Sequence, residues 1–288
     1  MYTTLKQVTN QAEKLNFTVG AFNAHNLEML PEMIRGAKEM GAPIIIQTSV
    51  DTAKYIGMSV LVAVVKEIAE TEMVDAVLHL DHARDFEDIK EAIDSGYTSV
   101  MFDGSHLPFK ENILKTQAVV KYAHQQGVSV EGELGTIGGT EEGIHVDEND
   151  KVYTEPEDAV QFVEATGVDA LAIAIGTNHG QFKSKTEVNI PLLKEINAVV
   201  EVPLVIHGGT GVKEEDYPEL INNGIRKFNV GTELLVNWTS TAKESFGETA
   251  INTSLRHNVI PANERVKAIV KNKIKLFMNL NSPTNLGV

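Results

Sequence analysis

Apolar and β-branched residues concentrate in eight short segments of the chain, at 17–23, 43–48, 74–81, 97–103, 128–134, 169–176, 203–207 and 226–231. Stretches such as IIIQ, LAIAI and PLVI are apolar almost throughout, as parallel strands buried on both faces must be. Between them the period changes. After Asn26, the positions Leu27, Leu30, Ile34, Ala37 and Met40 keep the spacing of one helix face, and Ser59 is placed to cap a second stripe that runs through Ile68. Gly41, Gly96, Gly127, Gly167 and Gly224 each stand between a helical pattern and a strand, where a left-handed residue closes a helix. Eight repeats of this βα pattern predict a (β/α)8 TIM barrel, with a doubly wound open sheet as the alternative. The chain reads as one barrel domain over 1–288, with a helical extension from about 240. The longest irregular stretch, 135–153, mixes glycines with acids after the fifth strand and reads as a mobile loop over the active-site end.

Composition narrows the chemistry. The chain has no cysteine, so disulfides, thiolate ligands and thiol nucleophiles are excluded together, and a strong metal site must be built from His, Asp and Glu. A formal net charge of −15 opposes binding to nucleic acid or an anionic membrane surface. An anionic substrate would therefore need a local positive field from a metal, a few basic groups or helix N-termini. With no apolar run of eighteen residues and no signal-like start, the expected location is the cytoplasm.

Polar residues interrupt the apolar segments repeatedly at their C-terminal ends, the end at which barrel active sites are built: Asn23, Ser49, Asp81 with His82, Asp103, Glu133, His179, His207 and Asn229. Singly, each is as well explained as a turn residue or helix cap; together they point to a site. His82, His179 and His207 end LHLDH, AIAIGTNH and PLVIH, too far apart for a local zinc motif but convergent in a closed barrel, where three histidines and an open position make a catalytic zinc site. Three unrelated buried or capping histidines are the alternative. HGGTG and NVGTEL follow strands 7 and 8, the loops that most often bind phosphate in this architecture. Asp81 can serve as acid or base beside a metal-bound substrate, and Glu133 can reach the metal or orient a ligand. His25, His106 and His145 lie toward the same end, whereas His124 and His257 read as surface residues. Lys227, just before FNVGTEL, is the one strand lysine near the mouth, and this scarcity argues against imine chemistry.

Taken in order, LHLDH, GSHLPFKEN, EGELGTIGG, IGTNHG, VIHGGTG and FNVGTEL strongly resemble the class II fructose-bisphosphate and tagatose-bisphosphate aldolase family, over about residues 4 to 275. The resemblance implies a zinc ion held by His82, His179 and His207, with Glu133 as an alternate ligand. It implies Asp81 as the acid that protonates the aldehyde oxygen during condensation and Glu141, with neighbouring Glu142 as the alternative, as the loop residue that moves a proton on the donor substrate. Gly180, Gly208, Gly209, Thr210, Asn229, Val230, Gly231 and Thr232 match contacts to dihydroxyacetone phosphate, some shared with a monovalent cation, Na+ or K+. Asn23 and Ser49 match further substrate contacts, and Arg256 one to the distal phosphate. A homodimer or homotetramer is implied as well. Two places depart from the fructose-type pattern: Gly231, where many fructose-bisphosphate aldolases carry an acidic or polar residue and tagatose-type relatives a small one, and Ser254-Leu255-Arg256 in place of Asp-Pro-Arg. Related substrates, a deoxy-keto-gluconate phosphate or a sulfofructose phosphate, therefore stand beside fructose and tagatose bisphosphates. A metal-free phosphate-binding barrel isomerase and a non-catalytic binding protein are the competing classes.

Overall fold

The computed structural model describes residues 1–141, 144–146, 152–179, 187–209, 211–250 and 253–278, with backbone alone at 138–141, 144–146 and 179. Helix α1 (Leu5–Leu15) opens on a reciprocal capping box, in which Thr4 accepts from Gln7 N and the Gln7 side chain accepts from Thr4 N. The barrel strands are β1 (Val19–Asn23), β2 (Ile44–Ser49), β3 (Ala76–Ala83), β4 (Ser99–Phe102), β5 (Ser129–Leu134), β8 (Ala170–Ile173), β10 (Leu204–Ile206) and β11 (Ile225–Val230). They close in the order β1-β11-β10-β8-β5-β4-β3-β2, every pairing parallel. All eight predicted strand segments are present, and the open sheet is excluded by the β1 to β11 closure.

The outer helices are α2 (Leu30–Met40), α3 (Val50–Ile56), α4 (Met58–Glu72), α5 (Phe86–Ser95), α6 (Phe109–Gln125), α7 (Pro156–Thr166), α8 (Ile190–Val199), α9 (Tyr217–Asn222), α10 (Thr232–Glu248) and α11 (Leu255–Phe277). The apolar stripe after Asn26 forms a 3-10 turn, Leu27–Met29, capped by Asn26, and then α2. Ser59 is not a cap: α4 begins at Met58 behind Gly57, whose φ of 99° turns the chain between α3 and α4. The five predicted helix-ending glycines all have positive φ. Helix α11 packs on α10 and α2, and its Phe277 lies against Tyr217 and Phe228. Among the described residues no helix is long and apolar enough to cross a membrane.

The sheet separates two cores. Outward residues such as Ile44, Ile46, Leu78, Leu80, Leu171 and Ile206 pack with the helices. Inside, Val19, Ala21, Ile45, Val77, Ala170, Ala172 and Val205 form a dry lower layer closed from beneath by Leu5, Val8 and Ala12 of α1. Because successive residues alternate faces, the next inward positions toward the strand C-termini are polar: Asn23, Gln47, His79, Asp81, Glu131, Glu133, His207, Lys227 and Asn229, all buried. The segment read as irregular after the fifth strand contains a hairpin, β6 (Gly138–Glu141) with β7 (Ile144–Val146), and β6 pairs in parallel with β9 (Asn178–His179).

Candidate active site at the barrel mouth

His82 is held by an unusual backbone. Its φ of 49° lies in the left-handed region, and the β3 to β4 register shifts between Leu80 and Ala83, so the strand bulges where its last polar residues turn inward. Left-handed non-glycine residues cost on the order of 1–3 kcal/mol and persist where surrounding contacts over-determine them. Here His82 Nδ1 faces Asp103 Oδ2 at 3.5 Å and Glu133 Oε2 at 3.9 Å, while its Nε2 lies 2.9 Å from His207 Nδ1. Asp103 is anchored in turn by Arg84 at 2.7 and 2.9 Å and by Ser105 Oγ at 2.7 Å. Burial opposes its ionisation, but the bonds from His82 and Ser105 and the charge of Arg84 outweigh that and hold its carboxyl below the usual range.

His207, fully buried at the end of β10, places Nε2 2.7 Å from Glu131 Oε1. Burial lowers its basicity, and Glu131 only partly offsets this. With Nε2–H donated to Glu131, Nδ1 carries a lone pair; with His82 Nδ1–H directed at Asp103, His82 Nε2 carries one too. Two lone pairs 2.9 Å apart repel unless a cation lies between them, so the donor chemistry of this pair fits a divalent metal ion. Two ligand sets come within reach of a common centre: Asp81, His82 and His207, and His82, Asp103 and Glu133.

Asp81, one residue before His82, is held by amides. Gln47 Nε2 donates to Asp81 Oδ2 at 2.9 Å, Asn23 Nδ2 to the same oxygen at 3.3 Å, and Asn229 Nδ2 to Oδ1 at 3.4 Å. These side chains come from β2, β1 and β11, so the closing edge of the barrel brings them together. Gln47 was not among the residues singled out in the sequence; a glutamine interrupting the apolar run IIIQTS was its signal, and the structure buries it fully. Gln47 Oε1 and Asn229 Oδ1 have no hydrogen-bond partner among the described residues, which suits them to accept from substrate hydroxyl groups.

Ser49 pairs with Asp81 across β2 and β3 but spends its hydroxyl capping α3, accepting from Thr52 N at 3.2 Å. Gly208 has φ 61°, its carbonyl accepts from Asn178 N at 3.2 Å, and Gly209 lies where any side chain would strike the Phe228 ring. Val230 is buried at the end of β11, Gly231 precedes the helix and Thr232 begins α10. Arg256 is exposed in the first turn of α11 and donates to Ser254 Oγ at 3.0 Å; no hydrogen bond or ion pair joins it to the mouth among the described residues. Gly180, Thr210 and Glu142 fall outside the described residues, as do the side chains of Glu141, His145 and His179. The backbone of His179 nevertheless pairs with Gly139, two residues before Glu141, so the third histidine and the predicted proton-moving residue ride on one small sheet. Lys227 is fully buried beneath the mouth and ion-paired to Glu131 at 2.9 Å, an enclosure unsuited to an imine-forming lysine. His124 is tied to Asp169 at 2.8 Å.

The family described as "Fructose-bisphosphate aldolase class-II" matches residues 3–282. The D-tagatose-1,6-bisphosphate aldolase subunit GatY of Klebsiella oxytoca is 37% identical over 269 residues, which is 93% of this chain and 95% of that protein. The crystal structure of the YdjI aldolase from Escherichia coli K12 superposes with a TM-score of 0.84 at 32% identity, covering 96% of this chain and 97% of the other. Fructose-bisphosphate aldolase from Campylobacter jejuni, at 20% identity, shares the fold with a TM-score of 0.78 over 96% of this chain and 95% of its own. A closed barrel whose mouth gathers histidines and carboxylates, matched along nearly its whole length by one enzyme family, makes this chain a member of the class II fructose-bisphosphate aldolases, and so a carbon–carbon lyase.

Proposed function

We propose that this aldolase is zinc-dependent and reversibly cleaves a ketose 1,6-bisphosphate, tagatose or fructose, to dihydroxyacetone phosphate and glyceraldehyde 3-phosphate. The carrying observation is the 2.9 Å approach of His82 Nε2 and His207 Nδ1 beside the amide-bound carboxylate of Asp81. His82 and His207, with His179 from the β9 segment, would hold the ion, and Glu133 would serve as an alternate ligand. A zinc ion there supplies Lewis acidity that stabilises the negative charge developing on the donor fragment as the carbon–carbon bond breaks.

The chain's own residues do the rest. Asp81 takes the proton from the hydroxyl of the departing aldehyde half and returns it to the aldehyde oxygen in condensation, its orientation fixed by Asn23, Gln47 and Asn229. Glu141 moves the proton on the donor carbon. Residues 208–210 and 229–232, with Gly180, contact the phosphate and hydroxyl groups of the donor, some of them shared with a monovalent cation, and Arg256 meets the distal phosphate. Ser49 and Asn23 contribute further substrate contacts. The enzyme works in the cytoplasm as a homodimer or homotetramer.

Tagatose bisphosphate is favoured over fructose bisphosphate by the GatY relative and by Gly231. Zinc-loaded protein should release dihydroxyacetone phosphate from tagatose 1,6-bisphosphate, lose that activity to a chelator and regain it with zinc. Full turnover by metal-free protein, or no cleavage of either bisphosphate, overturns the reading.

A further inference from the structure

Inside the barrel, directly below the mouth, Glu131 also belongs to a buried ionic pair whose second member, Lys227, the chemistry above leaves unused. Lys227 of β11 and Glu131 of β5 are both fully buried, with Nζ 2.9 Å from Oε2. The other oxygen of Glu131, Oε1, is 2.7 Å from His207 Nε2. Nearby, His79 Nε2 stands 3.7 Å from Oε2, and His79 Nδ1 shares a 2.7 Å hydrogen bond with Ser99 Oγ. An isolated buried charge is strongly destabilising, so Glu131 and Lys227 must be present together; paired ions of this kind seldom add net stability, which leaves specificity of geometry as what they contribute.

We propose that the Glu131–Lys227 pair is a positioning device that fixes the tautomer of His207, keeping its proton on Nε2 and its lone pair on Nδ1, toward the metal. The inference rests on reading His207 as a metal ligand. The ammonium of Lys227 offers three donors and no acceptor, so only an oxygen can face it. With one carboxylate oxygen held by Lys227, the second is presented to His207, and an oxygen can only accept. The ring must therefore donate from Nε2, and Nδ1, 2.9 Å from His82 Nε2, is left as the coordinating atom. His207 and Lys227 lie on adjacent strands in the barrel, and Val205 pairs with Lys227, so the device is built into the β10 to β11 register.

This arrangement makes an asymmetric prediction. In Glu131→Gln, Lys227 captures the amide oxygen, so the amide NH2 faces His207 Nε2 and drives the histidine proton onto Nδ1. Zinc affinity, measured by chelator competition, should fall about 10- to 100-fold. In Glu131→Gln/Lys227→Met the amide is free to turn, its oxygen accepts from Nε2–H again, and most of the lost affinity should return. The ring tautomer is read directly by 15N NMR of histidine-labelled metal-free protein: Nε2-protonated in the wild type and double variant, Nδ1-protonated in Glu131→Gln. The wild-type spectrum tests the assignment even if a variant fails to fold. A wild-type His207 protonated on Nδ1, zinc affinity in Glu131→Gln within 2-fold of wild type, or a double variant no better than the single one overturns the proposal. A wild type that binds no zinc at all overturns instead the reading of His207 as a ligand.

Discussion

Gly231 leaves room for the side chain of Asn23: a Cβ on residue 231 would come within 2.9 Å of Asn23 Oδ1 and 3.2 Å of its Cγ. Asn23 is one of the amides that hold Asp81, so the β11 turn is coupled to the acid across the barrel closure. Gly231→Ala should therefore displace Asn23, lower kcat about 10-fold, the scale of one hydrogen bond to a charged group, and leave zinc content unchanged. Steady-state kinetics with metal analysis check this, and an unaltered kcat would uncouple Gly231 from the acid.

Asp81 should act on protons rather than on the metal. Asp81→Ala is expected to keep zinc while carbon–carbon cleavage falls about 10² to 10⁴-fold, the usual cost of losing a positioned acid. Loss of zinc with the carboxylate would instead make Asp81 a ligand, as its place in one of the two candidate ligand sets allows.

Arg256 projects from the first turn of α11 and is exposed. If it grips the phosphate of the aldehyde half, Arg256→Ala raises KM for the whole ketose and leaves dihydroxyacetone phosphate binding nearly unchanged. Equal weakening of both ligands, measured by titration and kinetics, would place its contact on the donor half.

Glu141 belongs to the strand whose Gly139 pairs with His179. Glu141→Ala should bind dihydroxyacetone phosphate yet exchange its carbon-bound hydrogen with deuterium very slowly, whereas Asp81→Ala exchanges at a substantial rate. NMR of both variants and of Glu142→Ala decides the matter; normal exchange in Glu141→Ala with selective loss in Glu142→Ala moves the role by one residue.

The metal-free protein should lose stability steeply in acid. Burial lowers the pKa of His79 to about 3, so between about 6.5 and 3 the unfolded chain binds a proton there that the native state refuses. His207 is shifted the same way by burial. Glu131, buried but held ionised by Lys227 and His207, must take up its proton on unfolding as acid rises, and so acts in the same direction. For His79 the contribution is fully present above pH 6.5 and falls by about 1.4 kcal/mol per pH unit below it. Urea unfolding of the wild type and His79→Gln from pH 7.5 to 5 measures the slope; a profile identical in the two proteins would remove His79 as a source.

Much of the architecture was legible in order along the chain. Runs such as IIIQTS and the helix-ending glycines report local demands, namely burial on both faces and a left-handed backbone, that a residue meets wherever the strand lands. The helix starts ahead of Ser59 because Gly57 turns the chain one residue before it, and a serine inside a first turn resembles a cap. The strand-end histidines and acids stood out because polar residues closing apolar strands violate the local pattern. Which of them meet was decided only by closure of the barrel. Gln47, Glu131 and Lys227 sit on β2, β5 and β11, and neither spacing nor composition reveals that two touch the groups around His82 and the third holds one of those two. Their inward direction follows from the alternation of strand faces, but their level follows from strand register, and register is fixed by packing and pairing around the whole ring rather than by any segment alone.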